Sequence, residues 1–442
     1  MPLSRLLSRS TARAASTSTS AQVTKAAGDI SSVFPSLRPD YKPEPLPPRF
    51  QELKEKLFRE NEDALKRSWE RLLPRLEEEV HKIRSKGSDV IPLVEYADVV
   101  SGNVSAECLA EICHRGSVVI RNMVPRRNAR EWKERIEDYV AANSERAKAF
   151  PPDSPATQQF LLRLWHSSDP NTRISTRNPL IKFTLGPHVD GGSLEHWEDL
   201  EYSRVYAKIL EGKWEEYDVW DAKHCITARM DLYNGAGACS MLRFFQGWMS
   251  MSKTAPGKGT LQVCPMIVHS TAYTILRPFF NAQTLQPVLD TAFPGSVPGA
   301  CQEYSPVTHP HLELETTMVS VPEVDPGDYV AWHCDSLHAV DKDHRGKGDL
   351  SVLYIPATPM CDMNVEYLLK QRRAAQDYSP PWDFPGAGGP GEIGFKGALD
   401  WNSVSAEGQR AMGLGEQRWE VTENMTEGER QAVEAANKAC FM

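Results

Sequence analysis

Two short stretches constrain the architecture of this chain more than anything else in it: His188-Val189-Asp190, and a much later run from Gly327-Asp328 through Tyr329-Val330-Ala331-Trp332-His333-Cys334-Asp335-Ser336-Leu337 to His338. In an extended strand the side chains at i and i+2 point to one face. His188 and Asp190 can therefore bite a single ion, and His338, brought over from another strand, completes a three-point cap. Such a cap requires a fold that lays two strand ends side by side although they are far apart in sequence.

The spacing alone is a weak signal. With 12 His and 59 acidic residues among 442, the chain has four His-x-Asp/Glu pairs, at His188, His196, His311 and His333; chance alone gives roughly 1.6. Context separates them. From Ile181 to Pro187 apolar and polar residues alternate with the period of a half-buried strand, which places Lys182, Thr184, His188 and Asp190 on one polar face. Gly191-Gly192 behind the pair would let a ligand approach the backbone closely. His196-Trp197-Glu198 falls in a Glu- and Trp-rich stretch that reads as helix, where i and i+2 do not face each other. In His309-Pro310-His311-Leu312-Glu313 the proline interrupts any ladder, and the segment reads as a surface loop.

His333-Cys334-Asp335 is the serious rival, since with His338 it offers three ligand types within a few residues. Gly327-Asp328 reads as a turn and Tyr329 to Trp332 as a short buried strand, so His333 ends that strand and His338 lies just beyond. Ligands so close together would have to wrap an ion unaided, whereas a pair on one strand end plus a His from a distant strand is pre-organised by the fold. His188, Asp190 and His338 are therefore the expected ligands, with His333 behind them or in the core. Two His and one carboxylate with open positions suit non-haem iron, and the same donor types also admit zinc.

A strand leading to His-x-Asp, with a distal Gly-Asp-x-x-x-x-His-x-x-x-x-His, resembles the Fe(II)/2-oxoglutarate-dependent oxygenases, particularly those similar to phytanoyl-CoA hydroxylase. Gly116 to Pro125 resembles the early strand of that family, entering a helix near Arg126. Phe244 to Ser250 and Gly257 to Pro265 resemble its paired middle strands. Gly186-Pro187-His188-Val189-Asp190-Gly191-Gly192-Ser193 and Trp332-His333-Cys334-Asp335 look closer still to the YbiU-like proteins of bacteria and fungi, a family of unknown function. The likeness runs from about residue 45 to the C-terminus. It implies an α+β protein, mainly β in its core: a double-stranded β-helix, the jelly-roll or cupin-like barrel, flanked by helices. It further implies Fe(II) near one mouth of that barrel, 2-oxoglutarate as chelating co-substrate, and O₂-dependent hydroxylation of a small molecule. The alternative is a barrel protein that holds a metal and a small carboxylate without turnover.

One departure stands out. Many such oxygenases carry an Arg on the last barrel strand, roughly a dozen residues beyond the distal His, that grips the far carboxylate of 2-oxoglutarate in bidentate fashion. Here that strand would be Leu350-Ser351-Val352-Leu353-Tyr354-Ile355, which has no cation. Arg345 and Lys347 precede it in a turn. Lys182, on the face of the metal pair, and Arg243, at the start of a middle strand, are the other candidates. The expected co-substrate group is thus drawn from Arg243, Lys182, Lys347 and Thr184, unless the co-substrate is not 2-oxoglutarate.

A formal net charge of −9 over 442 residues leaves no broad basic field for nucleic acid. No apolar run approaches the roughly 18 residues of a membrane span. Nine Cys, with no Cys-x-x-Cys pair, argue for reduced thiols rather than a disulfide framework or a structural zinc site; Cys264 and Cys334 read as small buried hydrophobes. Residues 1–28 hold Arg5, Arg9, Arg13 and Lys25, no acid, and Leu3, Leu6 and Leu7. That is either the basic amphipathic pattern of a mitochondrial transit peptide or an unstructured tail, with a matrix or otherwise cytoplasmic location.

Residues 29–48 read as a Pro-rich linker, and 49–442 as one domain with an N-terminal helical region, a barrel core at about 116–356 and a C-terminal helical extension. Helical periodicity runs from Phe50 to Leu73 until Pro74 interrupts it. The stretch between Asp190 and Gly235 reads as a largely helical insertion whose Trp197, Tyr202, Tyr206, Trp214, Tyr217 and Trp220 serve packing. Met363 to Gln376 reads as a helix. Phe384 to Gly391 reads as a loop lacking the Lys-Ser/Thr of a phosphate loop. Thr426-Glu427-Gly428-Glu429 reads as a capping box opening a last helix.

Overall fold

The computed structural model describes residues 33–38, 41–42, 44–143, 157–160, 174–177, 185–235, 241–342, 344–379 and 391–441. Residues 1–28, residues 181–184 with Lys182 and Thr184, and all but the last residue of the stretch 384–391 expected as a loop lie outside them. In chain order the strands are β1 (Leu93–Glu95), β2 (Ser117–Arg121), β3 (Thr157–Phe160), β4 (Ile174–Arg177), β5 (His188–Val189), β6 (Phe245–Ser250), β7 (Leu261–Val263), β8 (Gln302–Glu303), β9 (Val319–Ser320), β10 (Tyr329–His333), β11 (His338–Val340) and β12 (Leu350–Tyr354). They form a seven-stranded sheet in the order β1-β2-β10-β6-β12-β4-β3 and a five-stranded sheet in the order β8-β5-β11-β7-β9. Every neighbouring pair is antiparallel except β1 with β2.

Strand β10 shows how the large sheet is covered on both faces. Tyr329 and Ala331 join a cluster with Val118, Met249 and Leu353, against Ala129, Ile136 and Tyr139 of the helix Arg126–Ala142. The residues between them, Val330 and Trp332, join the main core with Val119, Trp248 and Val352. A strand with both phases of its alternation apolar is one that must be sandwiched. The main core also holds Val189, Val263 and Ala339 of the small sheet, so the two sheets share one interior. From β4 onward the chain passes repeatedly between them, which is how β5 and β11 become neighbours.

The architecture is therefore mixed α+β with two open sheets. The closed barrel anticipated from the sequence is absent among the described residues: β1 and β3 end one sheet, β8 and β9 the other. Strands β5, β8 and β9 have two residues each, too few to carry a continuous ladder around a barrel wall. The two middle strands do not pair with each other either. Strand β6 lies between β10 and β12, and β7 between β11 and β9, because the turn that joins them crosses from one sheet to the other.

Two further expectations change. Pro74 does not end its helix, which runs from Glu62 to Lys86. The apolar stripe continues past it through Leu65, Trp69, Leu72, Leu76, Val80 and Ile83, each at most 1% exposed, and this burial outweighs the ~3 kcal/mol that an interior proline costs. Trp69 of that helix stacks on Tyr273 and Phe280, with centroids 5.3 and 5.0 Å apart. The segment around Pro310 is no surface loop: Pro310–Leu312 is a 3-10 turn and His309 is buried against the Tyr304 ring at 4.5 Å. The C-terminal capping box forms as expected: Thr426 Oγ1 accepts from the Glu429 amide, and Glu429 accepts from the Thr426 amide, opening the helix Glu427–Cys440. Among the described residues no helix is long and apolar enough to cross a membrane.

Candidate metal centre

Strand β5 pairs with β11 so that His188 stands directly opposite His338. Their ring centroids are 4.2 Å apart. Asp190 follows β5 by one residue and turns its carboxylate between them, Oδ1 lying 3.4 Å from His188 Nε2 and Oδ2 3.6 Å from His338 Nε2. One donor atom from each of the three lies within 4.8 Å of the others. The same backbone device aims both rings: His188 Nδ1 contacts the Gly186 carbonyl at 2.7 Å, and His338 Nδ1 the Ser336 carbonyl at 3.0 Å. A carbonyl only accepts, so Nδ1 carries the hydrogen in each ring, and Nε2, which faces Asp190, is left as the atom able to bind a metal.

The electrostatics suit a cation. Burial opposes ionisation of Asp190, yet His338, His188 and Arg243 overcome it and hold the carboxyl well below the usual carboxylate range. Burial and the neighbouring His188 lower His338, against the pull of Asp190, which favours the neutral imidazole that a metal ligand must be. Arg243 Nη2 lies 3.5 Å from Asp190 Oδ2. Its position is set on both sides: Asn364 bonds the amide and carbonyl of Leu242 at 2.9 and 3.0 Å, and the Phe244 carbonyl accepts from the Cys334 amide at 3.1 Å.

A family model described as Gig2-like matches residues 44–161 and 152–414. The chain belongs to the Gig2-like family. The Escherichia coli K12 protein named "Uncharacterized protein YbiU" is 32% identical over 381 residues, spanning 76% of this chain and 88% of its own, in line with the likeness read at the two motif segments. Among solved structures, GlcNAc Inducible Gene 2 from Candida albicans superposes with a TM-score of 0.78 at 28% identity, covering 91% of this chain and 96% of that one. A Salmonella typhimurium LT2 protein provisionally named an oxidoreductase gives a TM-score of 0.71 at 26% identity, covering 85% and 99%.

In this Gig2-like protein the rival cluster of His333, Cys334 and Asp335 also comes together, but its chemistry is less suited to a metal. His333 Nδ1 accepts the Asp335 amide at 3.0 Å. Its ring is wedged edge-on against Trp220 and Phe244, each 4.9 Å away. Burial and the nearby Asp335 push the Cys334 thiol well above its ordinary range, whereas a metal ligand must be a thiolate. His333 is thus packed in the core, and it ends β10 as its position in the sequence suggested.

Asp335 itself was not singled out from the sequence as anything but part of that rival. Burial pushes its carboxyl up to about 6, against the Tyr206 hydroxyl, which donates to it at 3.2 Å, and the Cys334 thiol. The folded pKa lies above the unfolded value of about 3.9, so the native state holds the extra proton between them. This contribution to stability therefore falls as pH rises from about 4 to 6 and stays lost above. Asp335→Asn is expected to leave metal-free stability unchanged near pH 4 and to raise it at pH 8 by on the order of 2–3 kcal/mol, measured by urea unfolding. A difference independent of pH would contradict the assignment.

The remaining expectations divide. Arg243 reaches Asp190. Lys347 sits exposed in the turn before β12, and the ion pairs of Asp190 are with His188, His338 and Arg243. The room left by Gly191 and Gly192 is taken by a side chain rather than a ligand. A Cβ on Gly191 would lie 3.1 Å from Tyr202 Oη, and Gly192 has φ +81°; the Tyr202 hydroxyl donates to the Gly191 carbonyl at 2.5 Å. The pair at His196 lies in the short helix Glu195–Glu198 as expected. Trp197, Tyr202, Tyr206, Trp214 and Tyr217 are all buried in the main core, in keeping with a packing role.

Proposed function

We propose that this Gig2-like protein is a non-haem Fe(II)- and 2-oxoglutarate-dependent oxygenase acting on a small molecule. The observation that carries the reading is the convergence of two Nε2 atoms and one ionised carboxylate from two paired strands, each ring aimed by a hydrogen bond from its other nitrogen. Three donors on one side of an ion leave the opposite positions open, as this chemistry requires. Bound there, iron with 2-oxoglutarate would supply the oxidising power for attack on a C–H bond. The chain's own residues hold and orient: His188, Asp190 and His338 as ligands, and Arg243 as the cation that grips the co-substrate carboxylate, reaching it from before β6 instead of from β12.

The strand order supports a double-stranded β-helix beneath the site. Strands β4-β12-β6-β10 run consecutively in one sheet and β5-β11-β7-β9 in the other, with one shared core. The oxidoreductase name given to the Salmonella relative is in keeping with the same reading.

The test is anaerobic. Protein given Fe(II) and 2-oxoglutarate is expected to show a weak visible metal-to-ligand charge-transfer band, to release succinate once O₂ is admitted, and to lose both in His338→Ala. A wild-type protein with neither band nor succinate would overturn the oxygenase reading in favour of a metal- and carboxylate-binding protein without turnover.

A further inference from the structure

The three ligand side chains are unequally covered: those of His188 and His338 are 4% and 8% exposed, that of Asp190 28% and that of the adjoining Arg243 24%. The centre is therefore open on the Asp190 and Arg243 side and shut beside His188. Part of what shuts it comes from far away in the chain. The Phe34 ring, itself 5% exposed, meets the His188 ring edge-on at 4.8 Å and 87°.

The segment carrying Phe34 is anchored on both sides of that residue. The Val33 carbonyl accepts from the Cys301 amide at 3.3 Å and from the Cys301 thiol at 3.2 Å. The Ser36 amide donates to Glu303 Oε2 at 3.2 Å, and the Ser36 hydroxyl bonds the other oxygen of that carboxylate. A single 3-10 turn, Pro35–Leu37, which contains Ser36, closes on the Phe34 and Pro35 carbonyls. Glu303 is also the residue paired with His188 across β5 and β8, so the polar anchor and the aromatic contact fall on the same rung of the small sheet. That placement matters because β5 is only two residues long. So short a ladder leaves the orientation of the His188 ring to side-chain and local contacts: the Gly186 carbonyl at Nδ1, the His338 ring, and the Phe34 edge.

We infer that residues 33–38 form a strap across the His188 side of the centre, with Phe34 as the positioning residue that walls in the His188 imidazole and leaves the Asp190 and Arg243 side as the route for ligands. The inference rests on the reading of His188 as part of the functional site, but its test needs no metal.

Diethylpyrocarbonate labelling of the metal-free full chain, followed by peptide mass mapping, reads the accessibility of each histidine. His309, buried and 2.9 Å from the Thr308 hydroxyl, serves as the internal standard for an intact core. In the wild type His188 is expected to label as slowly as His309. Phe34→Ala should raise the His188 rate at least tenfold and Ser36→Ala about threefold. Phe34→Leu, which keeps an apolar cover, should restore protection, and His309 should stay slow throughout. Equal His188 rates in wild type and both strap variants would overturn the proposal, as would a rise at His309 in parallel with His188. Because no ion is added, this result stands whether or not the protein binds iron, and failure of the strap leaves the metal reading intact.

Discussion

Asp190→Ala is expected to lower the affinity of the protein for Fe(II), or for Co(II) as an air-stable stand-in, by at least ~100-fold in an anaerobic titration. The size follows from the charges. Asp190 is the one anionic donor among the three ligands, and it lies 3.5 Å from Arg243. Removing it leaves two imidazoles, which bring no negative charge, facing a divalent ion with a guanidinium nearby. At an effective dielectric of about 20, each unit-charge interaction at ~4 Å is of order 4 kcal/mol. Asp190→Asn keeps the shape and loses the charge, so it should fall almost as far, which separates an electrostatic loss from a packing one. Thermal unfolding of the metal-free variants checks that the fold survives. Equal affinities in wild type and both variants would remove Asp190 from the site.

Arg243→Ala should act on a different quantity. If this guanidinium grips the co-substrate carboxylate, its removal is expected to weaken 2-oxoglutarate binding by about 30- to 100-fold, the worth of a charge-assisted bidentate pair. It should leave Fe(II) affinity unchanged or slightly improved, because a positive charge beside the metal has gone. Arg243→Lys should recover only part of the loss, since an ammonium offers a point charge in place of a planar fork. Titrating the visible band with 2-oxoglutarate at saturating Fe(II) gives both values. A variant that binds 2-oxoglutarate as well as the wild type would assign the grip to another group, and Lys182 would be the next residue to test.

The grouping of His188, Asp190 and His338 was legible in the sequence because each rests on a local rule. A turn and a short all-apolar strand fixed where β10 ends, and the i, i+2 geometry picked His188 with Asp190. Features that depend on contacts between distant segments were not legible in the same way. Gly191-Gly192 looked like room for a ligand, but Tyr202 from the following helix fills it. Pro74 looked like a helix end until the stripe from Leu65 to Ile83 was seen to be buried on both sides of it. The segments holding β6 and β7 are both strands, yet alternation within a strand says nothing about which sheet it joins. Phe34 gave no signal at all, since its role depends on Cys301 and Glu303 holding a turn that local propensity does not mark as part of any site.

The most direct measurement of the central claim is an anomalous difference map from a crystal of the protein grown without O₂ and loaded with Fe(II), or with Mn(II) as a redox-stable substitute. A single strong peak is expected within bonding distance, about 2–2.3 Å, of His188 Nε2, His338 Nε2 and one Asp190 oxygen, with the exposed side of the ion facing Arg243. A peak among His333, Cys334 and Asp335, or no peak at His188 under saturating metal, would contradict it.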